Sequence, residues 1–434
     1  MVPELSGQGD VMLLEYGTSN FLSFREEAYL DLRPARSKVI SRYPNNYTKL
    51  RTGERALKTS VIVGENAGGK SNFVTSLVFL KDLLTRSDLP ARTYINTLNS
   101  ANIASDELGI RDLSKSNTKQ EFSVTVATDS RSLRMELVLD FDGVCSESLI
   151  VQSERGAAER EVYRVDRDSF VWLSDNRGDD GSMQGKMHCS YSYDPSVGTI
   201  SSNLVESAAE ANLGSGRLAV VWLAMLGEEN CQTFVEALTR NTAVARFDGR
   251  RIEDDFGAES MASVMGTQDY LDIVRLIDPS IMDIYVDDEQ PLMDSSIVRK
   301  DASGREFARQ VRDDSAGVRQ FLYWSYYIYL VVYQNKTVFA DEIDSAINPV
   351  LSDRVLAFIN GKDHQGQFIF TTHNIFNLTL RTNMKEQINF VTKDPATLVS
   401  TMYSLADFTD IRYDVKEELY EFYLKGALGG TVDA

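Results

Sequence analysis

The chain has 434 residues, of which 43% are hydrophobic and 25% charged, and it contains only 9 prolines. This composition excludes collagen-like, mucin-like and wholly disordered chains, and the length suffices for about two to three domains. The formal net charge of −19 arises from 64 acidic and 45 basic residues. Such a balance favours a protein partner over direct gripping of duplex phosphates.

Hydropathy and cysteine usage bear on the cellular compartment. No apolar run in the sequence approaches the roughly 18–20 residues that a membrane span needs, and the polar, acidic stretch 1–10 is unlike a secretory signal. Cys145, Cys189 and Cys231 are scattered along the chain without CxxC spacing. They predict a reducing compartment and no disulfide framework. We therefore expect a cytoplasmic protein without a membrane segment.

In the first third of the chain, strand-like segments surround one helix. Residues 59–63 are a β-branched run typical of a buried central strand. This run leads through a glycine-rich turn into a helix over 71–85, where apolar residues recur at helical spacing. Alternating segments between 122 and 173 then predict an antiparallel β subdomain. We place the first unit at residues 1–173.

The remaining two thirds divide into a middle segment and a second α/β unit. The stretch 174–203 is rich in Asp, Gly and Ser, which predicts a long loop or a mobile insertion, and 204–277 reads as mostly helical. Together they form a predicted insertion at 174–280. In 281–434, strands alternate with helices. The predicted fold class is therefore α/β, with one sheet built from residues 1–173 and 281–434 and a helical insertion between them.

The most specific motif is GENAGGKS at residues 64–71, a G-x-x-x-x-G-K-[ST] pattern between a strand and an amphipathic helix. Its glycines let backbone N–H groups curl around phosphates, and the helix N-terminus adds partial positive charge. Lys70 is expected to reach the β- and γ-phosphates, and Ser71 to ligate Mg²⁺. The residues predicted to bind a nucleotide here are Gly64, Asn66, Gly68, Gly69, Lys70, Ser71 and Asn72.

Two predicted strands in the last third end in residues suited to ATP hydrolysis. An apolar strand at 337–340 ends in Asp341, which would hold Mg²⁺, and Glu342, which would polarise the attacking water as general base. A second strand leads to His373 just past its carboxyl end, where α/β sites lie. We expect His373 to sense the γ-phosphate, whereas His188 and His364 are expected at the surface.

A fourth motif, DDSAGVRQ at residues 313–320, stands at the start of a long predicted helix. One interpretation is a simple helix cap, because Asp and Ser are good N-cap residues. The alternative is a second phosphate site, in which Ser315, Gly317 and the helix N-terminus contact the γ-phosphate bound to another subunit. The spacing of about 25 residues to Asp341 favours the second interpretation.

The order of these motifs resembles an ABC-type ATPase of the SMC/OLD branch, and more narrowly the bacterial anti-phage ATPases of the abortive-infection AbiL and RloA type. The resemblance covers nearly the whole chain and includes MLLEYGTSNFLSF at 12–24, DEIDSAINP at 341–349 and YLKGALGG at 423–430. The sequence departs from the family pattern at Asn348, where His is usual, and at Ala427, which replaces a closing Arg. Gln120 is a candidate for the family's Mg²⁺-reading glutamine.

The resemblance implies a slow, Mg²⁺-dependent ATPase that forms a head-to-tail homodimer with two ATP molecules between the subunits. Residues 344–348 would run along the interface, and higher assemblies of such dimers are possible. The family function is a switch in anti-phage defence that controls an effector. Because about 60 residues follow His373, we expect that effector to be a separate polypeptide, a Toprim-like or RloB-like nuclease.

Two other functions stay open on the sequence. One is an SMC-like DNA-repair or DNA-maintenance ATPase that binds DNA directly, for which the sequence offers only scattered basic clusters at 33–38 and 246–251. The other is a clamp in which ATP holds an oligomer together without turnover. Long coiled-coil arms are not expected, since the insertion is short and lacks heptads.

Overall fold

The computed structural model describes residues 11–35, 38–85, 119–140, 143–177, 183–213, 217–246, 258–286, 292–343, 349–375, 379–411, 419–424 and 428. The strands are β1 (Met12–Ser19), β2 (Ala28–Asp31), β3 (Tyr47–Lys49), β4 (Arg55–Leu57), β5 (Thr59–Gly64), β6 (Gln120–Ala127), β7 (Ser132–Asp140), β8 (Gly143–Gln152), β9 (Arg160–Arg177), β10 (Met183–Tyr193), β11 (Thr242–Arg246), β12 (Ile281–Tyr285), β13 (Ser296–Lys300), β14 (Glu306–Gln310), β15 (Thr337–Asp341), β16 (Gln367–Thr372), β17 (Ile388–Lys393) and β18 (Ser400–Ser404). The α-helices are α1 (Lys70–Thr85), α2 (Ser202–Asn212), α3 (Ala219–Met225), α4 (Glu229–Thr239), α5 (Ala258–Met265), α6 (Gln268–Val274), α7 (Ala316–Gln334), α8 (Pro349–Gly361) and α9 (Leu419–Leu424).

Within the described residues, six strands form a mainly parallel sheet in the order β11-β15-β16-β5-β17-β18. Only the β17–β18 pair in this sheet is antiparallel. Strands β5, β15 and β16 are buried along their whole length, which explains why each reads as a continuous run rather than an alternating one. Because β5 and β15 run parallel in one sheet, the phosphate loop after β5 and Asp341 at the end of β15 reach the same edge.

A second sheet is antiparallel and contains, in the described part of the chain, seven strands in the order β10-β9-β8-β7-β6-β1-β2. Helix α1 packs between this sheet and the six-stranded one. Its buried side chains, among them Phe73, Leu77 and Leu80, join one hydrophobic cluster with β1, β6 and β7, whereas α7 and α8 form another with β15 and β16. The predicted α/β class with an antiparallel β subdomain and a helical segment is confirmed.

The long loop predicted at 174–203 is wrong for most of its length. Strand β9 continues to Arg177, and β10 pairs with it from Met183 to Tyr193. The described side chains of β10 from His188 to Tyr191 are exposed or half-buried, although apolar and polar residues alternate along the strand from Met187 to Tyr193. Its strand conformation comes from the ladder with β9, in which Cys189 faces Arg167 and Tyr191 faces Val165.

The predicted insertion at 174–280 is mainly helical in α2 to α6, but it also contributes a strand to the central sheet. Strand β11 pairs with β15 in parallel, Thr242 facing Thr337 and Arg246 facing Asp341. The central sheet is therefore not built from the two outer segments alone. Five residues inside a helical region are too few to give a period of their own.

The remaining outcomes concern two histidines, the last helix and membrane spans. His364 is buried, only 5% exposed, with Nε2 2.8 Å from the carbonyl oxygen of Ile359, so the predicted surface position is wrong, whereas His188 is exposed as expected. Helix α9 is described over Leu419–Leu424, while residues 413–418 of the predicted helix lie outside the described residues. Among the described helices, none combines the length and apolar character that crossing a membrane requires.

Candidate nucleotide-binding site

The phosphate loop lies so close to β17 and β18 that two of its glycines have no room for a side chain. Gly64 pairs with Val391 of β17, and a Cβ on Gly64 would lie 2.2 Å from the Val391 carbonyl oxygen. Gly69 has φ +118°, and a Cβ there would lie 2.5 Å from Ser400 Oγ. Both positions therefore require glycine for a structural reason that the motif itself does not state.

Lys70 is the first residue of α1 and is buried, only 5% exposed. Its Nζ donates hydrogen bonds of 2.8 Å to the carbonyl oxygens of Gly64 and Glu65. The ammonium group therefore lies across the loop, next to the amino end of a 16-residue helix. That placement concentrates positive charge where phosphate oxygens would bind.

Three small polar side chains, those of Ser23, Asn72 and Ser400, support the phosphate loop through hydrogen bonds. Ser400 Oγ lies 2.7 Å from the Gly68 carbonyl oxygen and 2.8 Å from Ser23 Oγ. The Asn72 amide donates to the same Ser23 Oγ at 2.7 Å. Ser23 belongs to the NFLSF segment noted in the sequence, and this contact gives that segment a role in holding the loop. Asn72 thus supports the loop, while its direct contact with a nucleotide stays a prediction, as does that of Asn66.

Asp341 brings the loop and the Asp-Glu strand together. It is 6% exposed, and its Oδ1 accepts hydrogen bonds from Ser71 Oγ at 3.2 Å and from Thr371 Oγ1 at 2.7 Å. Ser71 is 270 positions away in the chain. A carboxylate beside a hydroxyl is a hard oxygen donor set, which Mg²⁺ prefers.

The donor set at Asp341 fits Mg²⁺ held together with a nucleotide rather than by the protein alone. Among the described residues, no group of three or more His, Cys, Asp or Glu side chains is arranged to hold a metal ion. Mg²⁺ in nucleotide sites typically uses one or two protein ligands together with phosphate oxygens and water. Ser71 and Asp341 provide such a partial set.

Glu342 follows Asp341 in a left-handed backbone conformation, with φ +57°. Its N–H donates to Thr371 Oγ1 at 2.8 Å, and the same hydroxyl donates to Asp341. Thr371 thus fixes both acidic residues, which offsets the roughly 1–2 kcal/mol that such a conformation costs. The Glu342 side chain is exposed and projects from the strand tip. The role of Thr371 was missed, although two threonines ending an apolar strand are a visible signal.

His373 comes directly after β16, whose neighbour in the sheet is β15. Its side chain is exposed. Because the two strands are parallel and adjacent, Glu342 and His373 stand at neighbouring strand ends on one edge of the sheet. This is the placement that the sequence predicted, and the γ-phosphate role of His373 stays a prediction.

Ser315 and Gly317 begin helix α7 beyond this edge. Ser315 is the N-cap, its Oγ accepting from the Val318 N–H at 3.3 Å, and it is exposed. A Cβ on Gly317 would meet no atom of the described residues within 4 Å. Tyr323, two turns later, donates its hydroxyl to the carbonyl oxygen of Arg246 at the end of β11 at 3.0 Å. Ser315 therefore lies ~12 Å farther along the helix, at 1.5 Å per residue. The capping interpretation is correct as far as it goes, and the phosphate role stays a prediction.

Three further sequence predictions concern Gln120, the stretch 344–348 and the closing segment 423–430. Gln120 starts β6 of the seven-stranded sheet opposite Leu139 and is fully buried, and its Mg²⁺-reading role stays a prediction. The stretch 344–348, predicted to run along a dimer interface, lies outside the described residues. The closing segment 423–430 is described only in part.

Solved structures of SMC head domains align with most of the chain at low identity. An SMC head bound to the C-winged helix domain of ScpA shares 11% identity over 91% of this chain and 97% of that one, with a TM-score of 0.43. The SMC head domain from Thermotoga maritima shares 10% identity over 91% and 98%, with a TM-score of 0.37. An SMC head with an extended coiled coil, bound to the C-terminal domain of ScpA derived from Pyrococcus furiosus, shares 12% over 96% and 99%, with a TM-score of 0.40. The sequence matches no protein-family model and no curated protein.

Proposed function

We propose that this protein binds and hydrolyses ATP and uses the cycle as a conformational switch. The observation that carries the proposal is the 3.2 Å contact between Ser71 and Asp341. It joins a phosphate-loop helix to the tip of an Asp-Glu strand, which is the arrangement that positions a metal-bound nucleotide for phosphoryl transfer. Phosphoryl transfer needs little beyond such positioning and charge.

Each residue at the sheet edge has a distinct part in this proposal. Lys70 and the N–H groups of the loop bind the phosphates, and Mg²⁺, held by Ser71 and Asp341, neutralises phosphate charge when bound. Glu342 accepts a proton from the attacking water, for which its exposed carboxylate at the strand tip is suited. His373 contacts the γ-phosphate from the next strand.

The proposed assembly is a head-to-tail homodimer with two ATP molecules shared between subunits. Ser315 caps a long helix and is exposed, and no atom of the described residues lies within 4 Å of a Cβ placed on Gly317. A helix N-terminus with these properties can approach a phosphate bound to a second copy. Two-fold symmetry then makes each such contact twice.

The biological role we propose is that of a cytoplasmic switch in a bacterial anti-phage, abortive-infection system, acting on a separately encoded effector nuclease of Toprim or RloB type. The support for this finer assignment is the order of motifs in the sequence and their resemblance to AbiL- and RloA-type ATPases. The rival, an SMC-like ATPase that binds DNA directly, is less well supported because the net charge of −19 opposes binding to the phosphate backbone of a DNA duplex. ATPase rates with DNA and with the neighbouring gene product separate the two.

The sharpest test of the shared site mixes two inactive variants. Lys70→Ala should lose phosphate binding, and Ser315→Arg should fill the space that a second subunit's γ-phosphate needs. In a head-to-tail dimer of one of each, one site receives both defects and the other receives none. With random pairing, half of the dimers are mixed, so the mixture should recover roughly a quarter of the wild-type ATPase rate.

Each variant measured alone provides the control. Either one should be nearly inactive, yet Ser315→Arg should fold and still bind nucleotide in its own loop, as seen by thermal unfolding and by titration with a fluorescent ATP analogue. A mixture no more active than its components would contradict the shared site. Wild-type turnover by Lys70→Ala would contradict ATP hydrolysis at this loop altogether.

A further inference from the structure

Arg246 is a cation at the proposed nucleotide site that the sequence did not single out. It ends β11 and pairs directly with Asp341 of β15 in parallel register. Paired residues of parallel strands project to the same side of a sheet. The guanidinium therefore reaches the same carboxylate that Ser71 contacts.

The Arg246 side chain lies between the tip of β15 and the first turns of α1. Its Nε is 3.8 Å from Asp341 Oδ2. One terminal nitrogen donates to Thr75 Oγ1 at 2.7 Å and lies 3.5 Å from the Ser71 carbonyl oxygen. Asp341 thus has Ser71 and Thr371 at one oxygen and Arg246 at the other.

The backbone of Arg246 is fixed, while its side chain retains freedom. The ladder with β15 holds the strand, and the Tyr323 hydroxyl donates to the Arg246 carbonyl oxygen at 3.0 Å. The side chain itself is 30% exposed. A change at Asp341 can therefore move the guanidinium without moving β11.

Mg²⁺ and this guanidinium cannot both approach Asp341 without cost. Arginine keeps its charge at any accessible pH, and a divalent cation on the same, largely buried carboxylate would lie within several Å of it. Like charges at such separations repel strongly where solvent is limited. Arginine at this place therefore opposes the metal that the neighbouring Ser71 and Asp341 are suited to bind.

We propose that Arg246 is a positioning residue that competes with Mg²⁺ for Asp341, so that it sets the Mg²⁺ concentration at which the nucleotide complex forms. The inference rests on the proposed binding of ATP at the phosphate loop. Arg246 holds Asp341 in line with Ser71 and Thr371, and it releases the carboxylate as the metal binds. The exchange raises the free Mg²⁺ concentration that nucleotide binding requires.

The test is a titration of buffered free Mg²⁺ into full-length protein with a fluorescent, non-hydrolysable ATP analogue. Arg246→Gln should lower the Mg²⁺ concentration at half-maximal binding by about tenfold, because the competing charge is gone. Arg246→Lys keeps the charge and should stay within about threefold of wild type. Arg240→Gln removes the same charge just before the other end of β11, where the side chain is half exposed, and should change nothing.

The outcomes separate this inference from the function on which it rests. An unchanged or raised Mg²⁺ requirement in Arg246→Gln, with the analogue still bound, would overturn the competition alone. A merely structural role would lower the unfolding temperature and weaken binding at every Mg²⁺ concentration, which would also overturn it. If wild type bound the analogue no better than Lys70→Ala at saturating Mg²⁺, the proposed function and the inference would fall together.

Discussion

The two edges of the six-stranded sheet use polar side chains in opposite ways. At the amino edge, Gln367 starts β16 and is fully buried. Its amide donates to the carbonyl oxygens of Leu13 at 2.8 Å and Leu57 at 3.0 Å, and its oxygen accepts from the Leu13 N–H and the Thr337 hydroxyl. At the carboxyl edge, by contrast, Asp341 and Glu342 are ionisable, and Glu342 is exposed on a left-handed backbone.

A second glutamine repeats the pattern of the amino edge. Gln387 precedes β17 and is buried, donating to the carbonyl oxygen and hydroxyl of Thr59 and accepting from the Asn46 amide and the Met384 N–H. A neutral amide with every donor and acceptor used has nothing left for a ligand. Its value is in joining strands. Substitutions at the amino edge are therefore expected to lower the free energy of unfolding, whereas substitutions at the carboxyl edge are expected to lower ATP turnover.

The largest effect is expected from Glu342→Gln. Loss of the proposed general base should lower ATP turnover by roughly 10²- to 10⁴-fold, while the loop and Asp341 still bind nucleotide. Since the side chain is exposed, the free energy of unfolding should change by less than about 0.5 kcal/mol. Single-turnover hydrolysis, together with sedimentation in saturating ATP, measures both the loss and the dimer that trapped ATP should hold.

Two results with Glu342→Gln would contradict parts of the proposed function. Hydrolysis at the wild-type rate would remove Glu342 from the role of base. A variant that stayed monomeric in saturating ATP would instead count against shared sites, leaving the base assignment untouched. Thermal unfolding of the same sample shows whether the carboxyl edge tolerates the change as the comparison requires.

The next largest effect should appear at the amino edge, in stability. Gln367→Leu removes four hydrogen bonds and leaves buried backbone groups of Leu13 and Leu57 unsatisfied, so the free energy of unfolding should fall by about 3 kcal/mol. Urea unfolding measures this. Nucleotide affinity per folded molecule should not change. Gln310→Leu, the same substitution on the exposed strand β14, is the matched control and should be nearly neutral. A large loss of nucleotide affinity in Gln367→Leu without loss of stability would contradict the view that the amino edge contributes to stability alone.

The sequence predicted the residues at the carboxyl edge of the sheet far better than the residues that hold them in place. The phosphate loop, Asp341 with Glu342, and His373 each belong to a local pattern of strand, turn or helix, so their neighbourhood in the fold follows once the strands are parallel. Arg246 is paired with Asp341 in the sheet and Thr371 hydrogen-bonds to it. A single sequence displays neither the order of the strands nor the register between them. Arg246 was further hidden because β11 is a short strand in a region that reads as helical.

The amino edge shows the same limit, whereas the β10 hairpin does carry a pattern in its sequence. Gln367 is typical of an ordinary strand start in sequence, and only packing against β1 shows that its amide is saturated. His364 was expected at the surface, yet it is buried, and burial lowers its pKa from the ordinary value. Strand β10 was missed although apolar residues occupy alternate positions from Met187 to Tyr193, because the composition of the surrounding stretch favoured a loop. Polar residues whose role is to join segments carry no period, so hydropathy cannot identify them.

The smallest effect is expected at Ser400, a neutral polar residue that supports the phosphate loop at the carboxyl edge. Ser400→Ala removes the hydroxyl between Gly68 and Ser23 and should lower the free energy of unfolding by about 1 kcal/mol. Because that hydroxyl holds the phosphate loop, nucleotide affinity should also fall, by about threefold. Thr401→Ala, on the next residue of β18, removes an exposed hydroxyl that bonds only across to Thr392 among the described contacts, and should leave affinity unchanged. Calorimetric titration of both variants decides the matter. If Ser400→Ala lost stability with affinity intact, the loop would keep its shape without this hydroxyl. Neutral polar side chains would then contribute only to stability, whichever edge of the sheet they lie on.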